Sequence, residues 1–282
     1  MNAMDSLYAR TGFDISRVIT RNYSTSFFSA VNLLSKELRE PIFGIYGFVR
    51  LADEIVDSLT DYDRERLLSR FEAAYAEAAR YGISTNPIIN AFEMTVRKYG
   101  IERELVEAFL HSMRSDLSHP GTVTPQEAET YIYGSASAVG LMCLRVFTQG
   151  DHKLYEQLRQ PAMQLGSAFQ KVNFLRDLHT DLDVLKRSYF PEFSRRNFNE
   201  AFKRQLITEI ESEFAEAYRG IRLLPPSSRL GVFIAYVYYN KLLQKIKKTP
   251  AHKLITRRIR IPDISKALLL SRSLILNKIN LI

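Results

Sequence analysis

Cysteine and tryptophan are scarce in this chain of 282 residues, which contains one cysteine and no tryptophan. A single cysteine cannot form an internal disulfide. Cys143 has the apolar neighbours Leu141, Met142, Leu144 and Val146, a setting typical of a small buried side chain rather than an activated thiolate. The sequence therefore argues against cysteine nucleophile chemistry.

Long apolar runs are missing as well. No stretch reaches the roughly 18 apolar residues that a membrane-spanning helix needs. Charged residues also interrupt the first thirty positions, which excludes the apolar core of a secretory signal; they are Asp5, Arg10, Asp14, Arg17 and Arg21. We therefore expect a cytoplasmic protein. Its content of 46% hydrophobic and 25% charged residues is that of a globular protein and excludes disorder.

Several cofactor and catalytic motifs are absent. The chain has neither a Gly-x-Gly-x-x-Gly sequence nor a Walker-type glycine loop, so it offers no obvious cradle for a dinucleotide or a nucleoside triphosphate. Its five histidines lack the spacing of a zinc site, and no Ser-His-Asp triad can be argued from scattered residues. Hydrolytic nucleophile chemistry has no support.

Positive charge is concentrated at the C-terminal end. Residues 241–282 hold eleven basic residues and one acid, a net charge of +10 against +8 for the whole chain. Such a basic segment predicts an anionic partner, which on charge alone is a phosphorylated substrate, anionic lipid or nucleic acid. A solvated lysine-rich helix face explains the charge about as well.

Helical periodicity runs through almost the whole chain, with no convincing alternating strands. We predict an all-α, single-domain helical bundle over residues 1–282. The expected helices are 15–33, 41–58, 62–81, 87–98, 101–117, 125–148, 152–183, 197–222, 229–247 and 264–278.

Two of these helices carry a stripe of polar residues inside otherwise apolar sequence. The first comprises Tyr46, Arg50, Asp53 and Asp57, and the second comprises Gln170, Asn173, Asp177 and Asp181. At 3.6 residues per turn each set shares one helix face. Arg176 lies off the second stripe, so we expect it to form a structural ion pair.

The paired aspartates indicate a bound cation. Two carboxylates about 6 Å apart repel by roughly 3 kcal/mol at an effective dielectric constant of about 20. Oxygen ligands without histidine or thiolate favour Mg²⁺, which prefers few carboxylates, several waters and phosphate oxygens. A diphosphate held by Mg²⁺ between the two aspartate pairs, with Arg50 as an added donor, follows naturally. A solvated acidic face is the alternative, and it fits poorly because both stripes lie in apolar sequence.

A third wall is indicated by residues 131–142, where Tyr133, Ser137 and Gly140 share a stripe. Small residues there leave room for a neighbouring backbone or for a long apolar ligand. The seventeen phenylalanines and fifteen tyrosines would suit an apolar cavity in which ring faces stabilise a transient cation, although most of these rings belong to an ordinary core.

Five ordered segments resemble the squalene/phytoene synthase family. They are residues 24–28, 46–57, 131–142, 170–181 and 187–191, and the similarity runs from about residue 15 to about residue 275. The resemblance implies the all-α isoprenoid synthase fold with a central cavity. It also implies head-to-head (1′-1) condensation of two prenyl diphosphates through a cyclopropylcarbinyl diphosphate, dependent on Mg²⁺ or on Mn²⁺ in its place.

The resemblance also implies roles for individual residues. The metal ligands would be Asp53, Asp57, Asn173, Asp177 and Asp181. The diphosphate or its metals would contact Tyr46, Arg50, Gln170 and Asn173, while Tyr133 and Tyr239 would line the cavity near the cation. Arg258 and Lys266 would belong to a basic part that closes over phosphate. Glu54 stands where many members have aspartate, and Asp116 matches a further family position or forms a helix-end ion pair.

Product identity depends on chain length and reductant. The chain resembles bacterial phytoene synthases in the sequence of residues 169–177, in its length and in its lack of an anchor segment. We therefore expect two geranylgeranyl diphosphates to give phytoene, without NADPH, in carotenoid biosynthesis. Farnesyl diphosphate giving squalene or dehydrosqualene is the alternative. A non-catalytic assembly or scaffold protein is an alternative of another class. We expect peripheral association with an anionic membrane, at the inner face of the cell membrane, and no nucleic-acid partner.

Overall fold

The computed structural model describes residues 6–118, 121–183, 187–191, 193 and 197–261. Within them the chain is almost entirely helical, which confirms the all-α prediction. The helices are α1 (Leu7–Tyr23), α2 (Thr25–Val31), α3 (Lys36–Asp57), α4 (Arg64–Tyr81), α5 (Pro87–Tyr99), α6 (Arg103–Ser118), α7 (Pro125–Ile132), α8 (Ala138–Thr148), α9 (His152–Asp183), α10 (Glu200–Leu223), α11 (Pro226–Lys248) and α12 (Ala251–Leu254).

Local signals in the sequence explain most helix ends. Asn86 accepts hydrogen bonds from the backbone N–H groups of Ile88 and Ile89 and so caps α5, whose first residue is proline. Thr124 and Glu127 form a reciprocal capping box at the start of α7. Gly82 and Gly100 end α4 and α5 with positive φ angles of 78° and 61°, which glycine adopts at no steric cost.

Apart from shifts of a few residues at helix ends, the structure differs from these expectations in three places. The helix expected at 15–33 begins at Leu7 and breaks at Ser24, because the Ser24 hydroxyl accepts from Phe27 N–H and caps a second helix. The helix expected at 125–148 contains a π-helical turn, Tyr133–Ser137. Two short strands, β1 (Gly121–Thr122) and β2 (Arg187–Ser188), pair in parallel. The helix expected at 264–278 lies outside the described residues.

The core consists of two apolar clusters. One is built mainly from α3 to α6 and α8, and the other from α9 to α12 together with Tyr189, Phe190, Phe193 and Phe198. Helix α9 packs against α8, α10, α11 and the π-turn. Its Gly166 lies so close to the π-turn that an added Cβ would be 2.7 Å from the Ala136 carbonyl oxygen. The π-turn and α9 are therefore held in direct backbone contact.

No helix among the described residues is long and apolar enough to cross a membrane.

Candidate functional site

A cavity of about 510 Å³ opens between the helices. Its interior is apolar, and its wall includes Val31, Leu34, Leu144, Phe147, Leu158 and Leu224. Polar residues line the same cavity, among them Tyr46, Arg50, Asn173, Arg176, Tyr239 and Arg258. The volume of this largely apolar cavity is typical of a small-molecule site. We call the part of its wall that carries these polar residues the mouth.

Helix α3 supplies one side of this mouth. Arg50 forms an ion pair with Asp53 (Nη1 to Oδ2, 2.6 Å) and a second one with Glu54. Its guanidinium carbon lies 4.3 Å from the ring centre of Tyr23, at the end of α1. The Nε atom of Arg50 is buried and has no hydrogen-bond partner among the described residues. Arg50 therefore retains a buried donor that a ligand oxygen can satisfy.

Helix α9 supplies the other side. Asp177 accepts a hydrogen bond from Arg176 (Nη2 to Oδ2, 2.6 Å) and forms an ion pair with Arg258 (Nε to Oδ1, 2.7 Å). Burial disfavours the charge of Arg176, but the hydrogen bond and the charge of Asp177 outweigh it and raise the pKa of the guanidinium. The backbone N–H of Ile259 donates to the Arg176 carbonyl (3.3 Å), so the segment that carries Arg258 runs beside α9.

Tyrosines connect the two sides. Tyr239 on α11 donates to Asn173 (3.2 Å), and its ring stacks on Phe169 with the centroids 4.0 Å apart. Asn173 in turn donates to Gln170 (3.4 Å). Burial raises the pKa of Tyr46 to about 12. The charge of Arg50 lowers this pKa, while Asp53 and Tyr239 raise it further. Tyr46 and Arg50 of the first predicted stripe and Asn173 of the second thus line one cavity.

Two aspartates of the predicted site are paired with arginines. The aspartates were expected to repel one another until a cation bound, but Asp53 and Asp177 are each neutralised by arginine. Arg176 forms an ion pair, as expected, yet its partner is Asp177 and its side chain lines the cavity. Lys171 pairs with Glu209 and Glu213 on α10 instead. The resident counter-ions of the mouth are therefore guanidinium groups.

The remaining predicted residues are placed as follows. Asp57 is the last residue of α3 and Asp181 lies in the last turn of α9, and both are half-buried. Among the described residues, no group of three or more histidine, cysteine, aspartate or glutamate side chains is close enough to hold a metal ion unaided. Lys266 lies outside the described residues.

Tyr133 was expected to line the cavity near the cation. The described cavity wall contains Ser135, Ala136, Val139 and Gly140 but not Tyr133. The reason is the π-turn, since its wider repeat shifts the residues that follow relative to a 3.6-residue period. Both small residues of the predicted stripe pack against α9: Ser137 donates to the Met163 carbonyl (3.1 Å), and a Cβ added at Gly140, which also lines the cavity, would lie 3.1 Å from the Ala162 carbonyl oxygen.

Sequence reasoning left the roles of Glu54 and Asp116 open. Glu54 is a counter-ion of Arg50. Burial opposes its ionisation, but hydrogen bonds from Arg50 and Ser58 outweigh this and lower the pKa of Glu54. Asp116 accepts from Tyr131 (2.8 Å) and also from Tyr189, and the two rings stack with the centroids 4.3 Å apart.

Cys143 behaves as the sequence predicted. It lines the cavity, and burial raises the pKa of its thiol to about 12, so it is not a thiolate at neutral pH.

Comparison with known proteins identifies the family. A family model described as squalene/phytoene synthase matches residues 20–265, and the chain belongs to this family. It is 31% identical to the presqualene diphosphate synthase of Rhodopseudomonas palustris over 59% of this chain and 58% of that protein. It is 26% identical to phytoene synthase 3 of Zea mays over 90% of this chain and 63% of that protein.

The chain thus spans about three-fifths of the length of the curated relatives that it matches first. Its fold is that of a dehydrosqualene synthase crystal structure, with a TM-score of 0.80 and 21% identity over 96% of this chain and 98% of that chain. This likeness supports the terpenoid-synthase type of fold expected from the sequence.

Proposed function

We propose that the protein condenses two prenyl diphosphates head to head, through a cyclopropylcarbinyl diphosphate, and that two geranylgeranyl diphosphates give phytoene. The observation that carries this proposal is the cavity, whose wall is mainly apolar and whose mouth contains three arginines and Asn173. A prenyl diphosphate has the same division into a long hydrocarbon and a compact polyanion. Family membership supports the same reaction class.

The arginines would bind the leaving diphosphate. Guanidinium groups present a planar fork of donors that suits phosphate oxygens. Arg50 holds a buried Nε without a partner, and Arg176 and Arg258 meet at Asp177 on the opposite side of the mouth. Asn173, fixed by Tyr239, would orient the nearer diphosphate.

The donor set at the mouth fits Mg²⁺ together with diphosphate. Asp53, Asp57, Asp177, Asp181 and Asn173 offer only oxygen atoms of the kind that Mg²⁺ prefers. Mg²⁺ usually takes one or two carboxylates and completes its shell with water and phosphate oxygens, so the lack of a three-carboxylate group among the described residues is compatible with it. When bound, the ion would stabilise the negative charge of the departing diphosphate.

The cavity wall would protect the carbocation. As the C1–O bond of the first substrate breaks, the electron pair leaves with diphosphate and the allylic cation remains. The double bond of the second substrate attacks this cation, and loss of a proton closes the cyclopropane ring. The stacked rings of Phe169 and Tyr239 offer π faces, and the apolar wall excludes the water that would quench the cation.

A second ionisation would then open the cyclopropane. The rearranged cation loses a proton to give phytoene, whereas squalene formation requires hydride from NADPH. The chain has no glycine-rich dinucleotide loop in its sequence, so we propose a reaction without NADPH.

Farnesyl diphosphate is the second candidate substrate. It is favoured by the similarity to a presqualene diphosphate synthase and by the fold shared with a dehydrosqualene synthase. With this substrate the reaction would stop at the cyclopropylcarbinyl diphosphate or continue to a C30 hydrocarbon.

One experiment separates these outcomes. The purified protein is incubated with Mg²⁺ and either C15 or C20 diphosphate, with and without NADPH, and both hydrocarbons and diphosphate products are identified. Phytoene from the C20 substrate without NADPH supports the proposal. A C30 product or a cyclopropylcarbinyl diphosphate from the C15 substrate supports the second candidate. No turnover of either substrate would favour a non-catalytic scaffold.

We also propose that the protein works at the inner, cytoplasmic face of an anionic membrane. The support is the lipid character of the substrates and the positive charge of residues 241–282.

A further inference from the structure

Exposed apolar side chains are concentrated on one part of the surface. Eight large hydrophobic residues are exposed in the described part of the chain, and four of them belong to α1. Two of these, Leu7 and Val18, are 76% and 47% exposed. Tyr81 and Ile83, at 67% and 62% exposure, follow α4 and lie nearby, since the Tyr8 hydroxyl donates to the Ser84 carbonyl (2.7 Å). Single exposed apolar residues are common, but Leu7, Tyr8, Tyr81 and Ile83 lie together at the start of α1 and mark an interaction surface.

The outer face of α1 is also basic. Arg10, Arg17 and Arg21 are exposed and lie at intervals of seven and four residues, which places them along one flank of the helix. None of the three forms an ion pair within the described chain. Leu7 and Val18 lie beside them near the centre of the exposed face, together with the single acid Asp14. Arginines flanking exposed apolar residues are typical of a helix that lies on an anionic lipid surface.

The C-terminal end of α1 reaches the cavity mouth. Tyr23, its last residue, lines the cavity and stacks beneath the guanidinium of Arg50. A surface that bound the outer face of α1 would therefore lie beside the entrance of the cavity.

Two lysines of the basic C-terminal segment are already engaged within the protein. Lys247 pairs with Glu211 on α10 (2.7 Å), and Lys245 donates to the Arg260 carbonyl (2.5 Å). Both are less available to lipid than the arginines of α1.

We propose that α1 is the membrane-docking helix of this protein and that its outer face binds an anionic lipid bilayer. Arg10, Arg17 and Arg21 would contact lipid phosphates, while Leu7 and Val18 would enter the interfacial region. The choice of a lipid partner rests on the proposed function, because prenyl diphosphates and their hydrocarbon products partition into bilayers. Docking in this orientation places the cavity mouth next to the pool of substrate.

The test is co-sedimentation of the metal-free protein, without substrate, with vesicles of phosphatidylcholine alone or mixed with phosphatidylglycerol. We expect binding only to the anionic vesicles, and less of it as salt rises. The triple variant R10Q/R17Q/R21Q should bind roughly a hundredfold more weakly. The triple variant R10K/R17K/R21K should keep most of the binding.

A matched control removes the same charge elsewhere. Lys153, Arg159 and Arg204 are exposed on α9 and α10, and K153Q/R159Q/R204Q should bind within about threefold of the parent. The variant L7S/V18S should bind about tenfold more weakly at high salt, where apolar insertion dominates.

The inference is overturned if the parent does not bind anionic vesicles, or if both glutamine triple variants lose binding equally. It is also overturned if the α1 variants bind as the parent does, or if α1 proves instead to mediate a dimer that the same substitutions dissociate. Turnover in detergent micelles tests the proposed function separately, and R10Q/R17Q/R21Q should retain it there.

Discussion

At the residue scale, the mouth of the cavity is a place where carboxylates and guanidinium groups meet. Asp177 accepts from two arginines, one adjacent in sequence and one 81 residues away. The sequence shows the spacing of the aspartates but not these partners. A long arginine side chain can reach a neighbouring face of its helix, so the position of its Cα alone does not identify its partner. The role of the aspartates in the site therefore stays a prediction, while Arg176, which was assigned a purely structural role, lines the cavity.

Asp177→Asn should lower the free energy of unfolding by about 1–3 kcal/mol, because Arg176 and Arg258 lose their anion in a partly buried setting. The same change should nearly abolish turnover. Chemical denaturation and product formation measure the two effects. This reverses the direction expected from mutual repulsion of the aspartates.

Asp61 offers a matched control for that substitution. It has the same four-residue spacing from Asp57 but lies in an exposed turn after α3, so Asp61→Asn should change neither stability nor turnover. An Asp177→Asn protein that is as stable as the parent would show that the two arginine pairs contribute nothing.

Glu54→Gln tests the pH dependence of the Arg50 cluster. The pKa of Glu54 is lowered in the folded protein, mainly because Arg50 outweighs the opposing effect of burial. The folded state therefore binds this proton less readily than the unfolded state, so the stabilisation is fully present above pH 4.5 and is lost as the pH falls through the lower folded pKa.

We expect Glu54→Gln to be less stable than the parent at pH 7, by about 1 kcal/mol, and the two proteins to converge at strongly acidic pH. Denaturant titrations between neutral and acidic pH give the difference directly. A difference that grew as the pH fell would contradict the assignment of Glu54 as a counter-ion of Arg50.

At the element scale, periodicity predicted the existence of most helices but not their interruptions. The break at Ser24 follows from a serine cap, a signal that the sequence does carry. The π-turn at Tyr133–Ser137 has no comparable signal, because it depends on how α6 and α9 pack against it. The turn shifts Tyr133 relative to Gly140, so a stripe drawn with 3.6 residues per turn does not describe this segment.

Asp116 connects three elements that flank the site. It lies on α6 and binds the hydroxyls of Tyr131 on α7 and Tyr189 after β2, while Tyr189 also stacks on Phe174 of α9 with the centroids 4.4 Å apart. Tyr189→Phe keeps the ring and removes the hydroxyl, so it should lower stability by about 1–2 kcal/mol.

A double-mutant cycle with Asp116→Asn measures the coupling between the two groups. We expect the two substitutions together to cost less than the sum of their separate effects. Additive effects would show that the hydrogen bond contributes no coupling. Tyr62→Phe is a control, since that tyrosine is exposed between α3 and α4 and should tolerate the change.

At the scale of the whole molecule, the sequence predicted an all-α chain whose two aspartate helices face one another. The all-α fold is confirmed, and residues of α3 and α9 line the same cavity. The size of the cavity was beyond the sequence, since it depends on residues from α2, α8, α9 and α10 that meet only after packing. Substrate length depends on that same packing, so the product could not be read from the motifs.

The pairing of aspartates with arginines across the whole mouth predicts how ligands stabilise the protein. Asp53 and Asp177 already have cationic partners, so Mg²⁺ alone should raise the melting temperature little. Diphosphate with Mg²⁺ can engage the arginines and the carboxylates together, and at about a hundred times its dissociation constant it should add roughly 3 kcal/mol of stability.

Thermal unfolding with Mg²⁺, with inorganic diphosphate and with both measures this difference. We expect the combined shift to exceed the sum of the separate shifts and to be lost in Asp177→Asn, because α3 and α9 are then no longer bridged by one ligand. Asp61→Asn should show the full combined shift. A large shift with Mg²⁺ alone would mean that the carboxylates bind the ion in preference to their arginines, and the mouth would then be a preformed metal site.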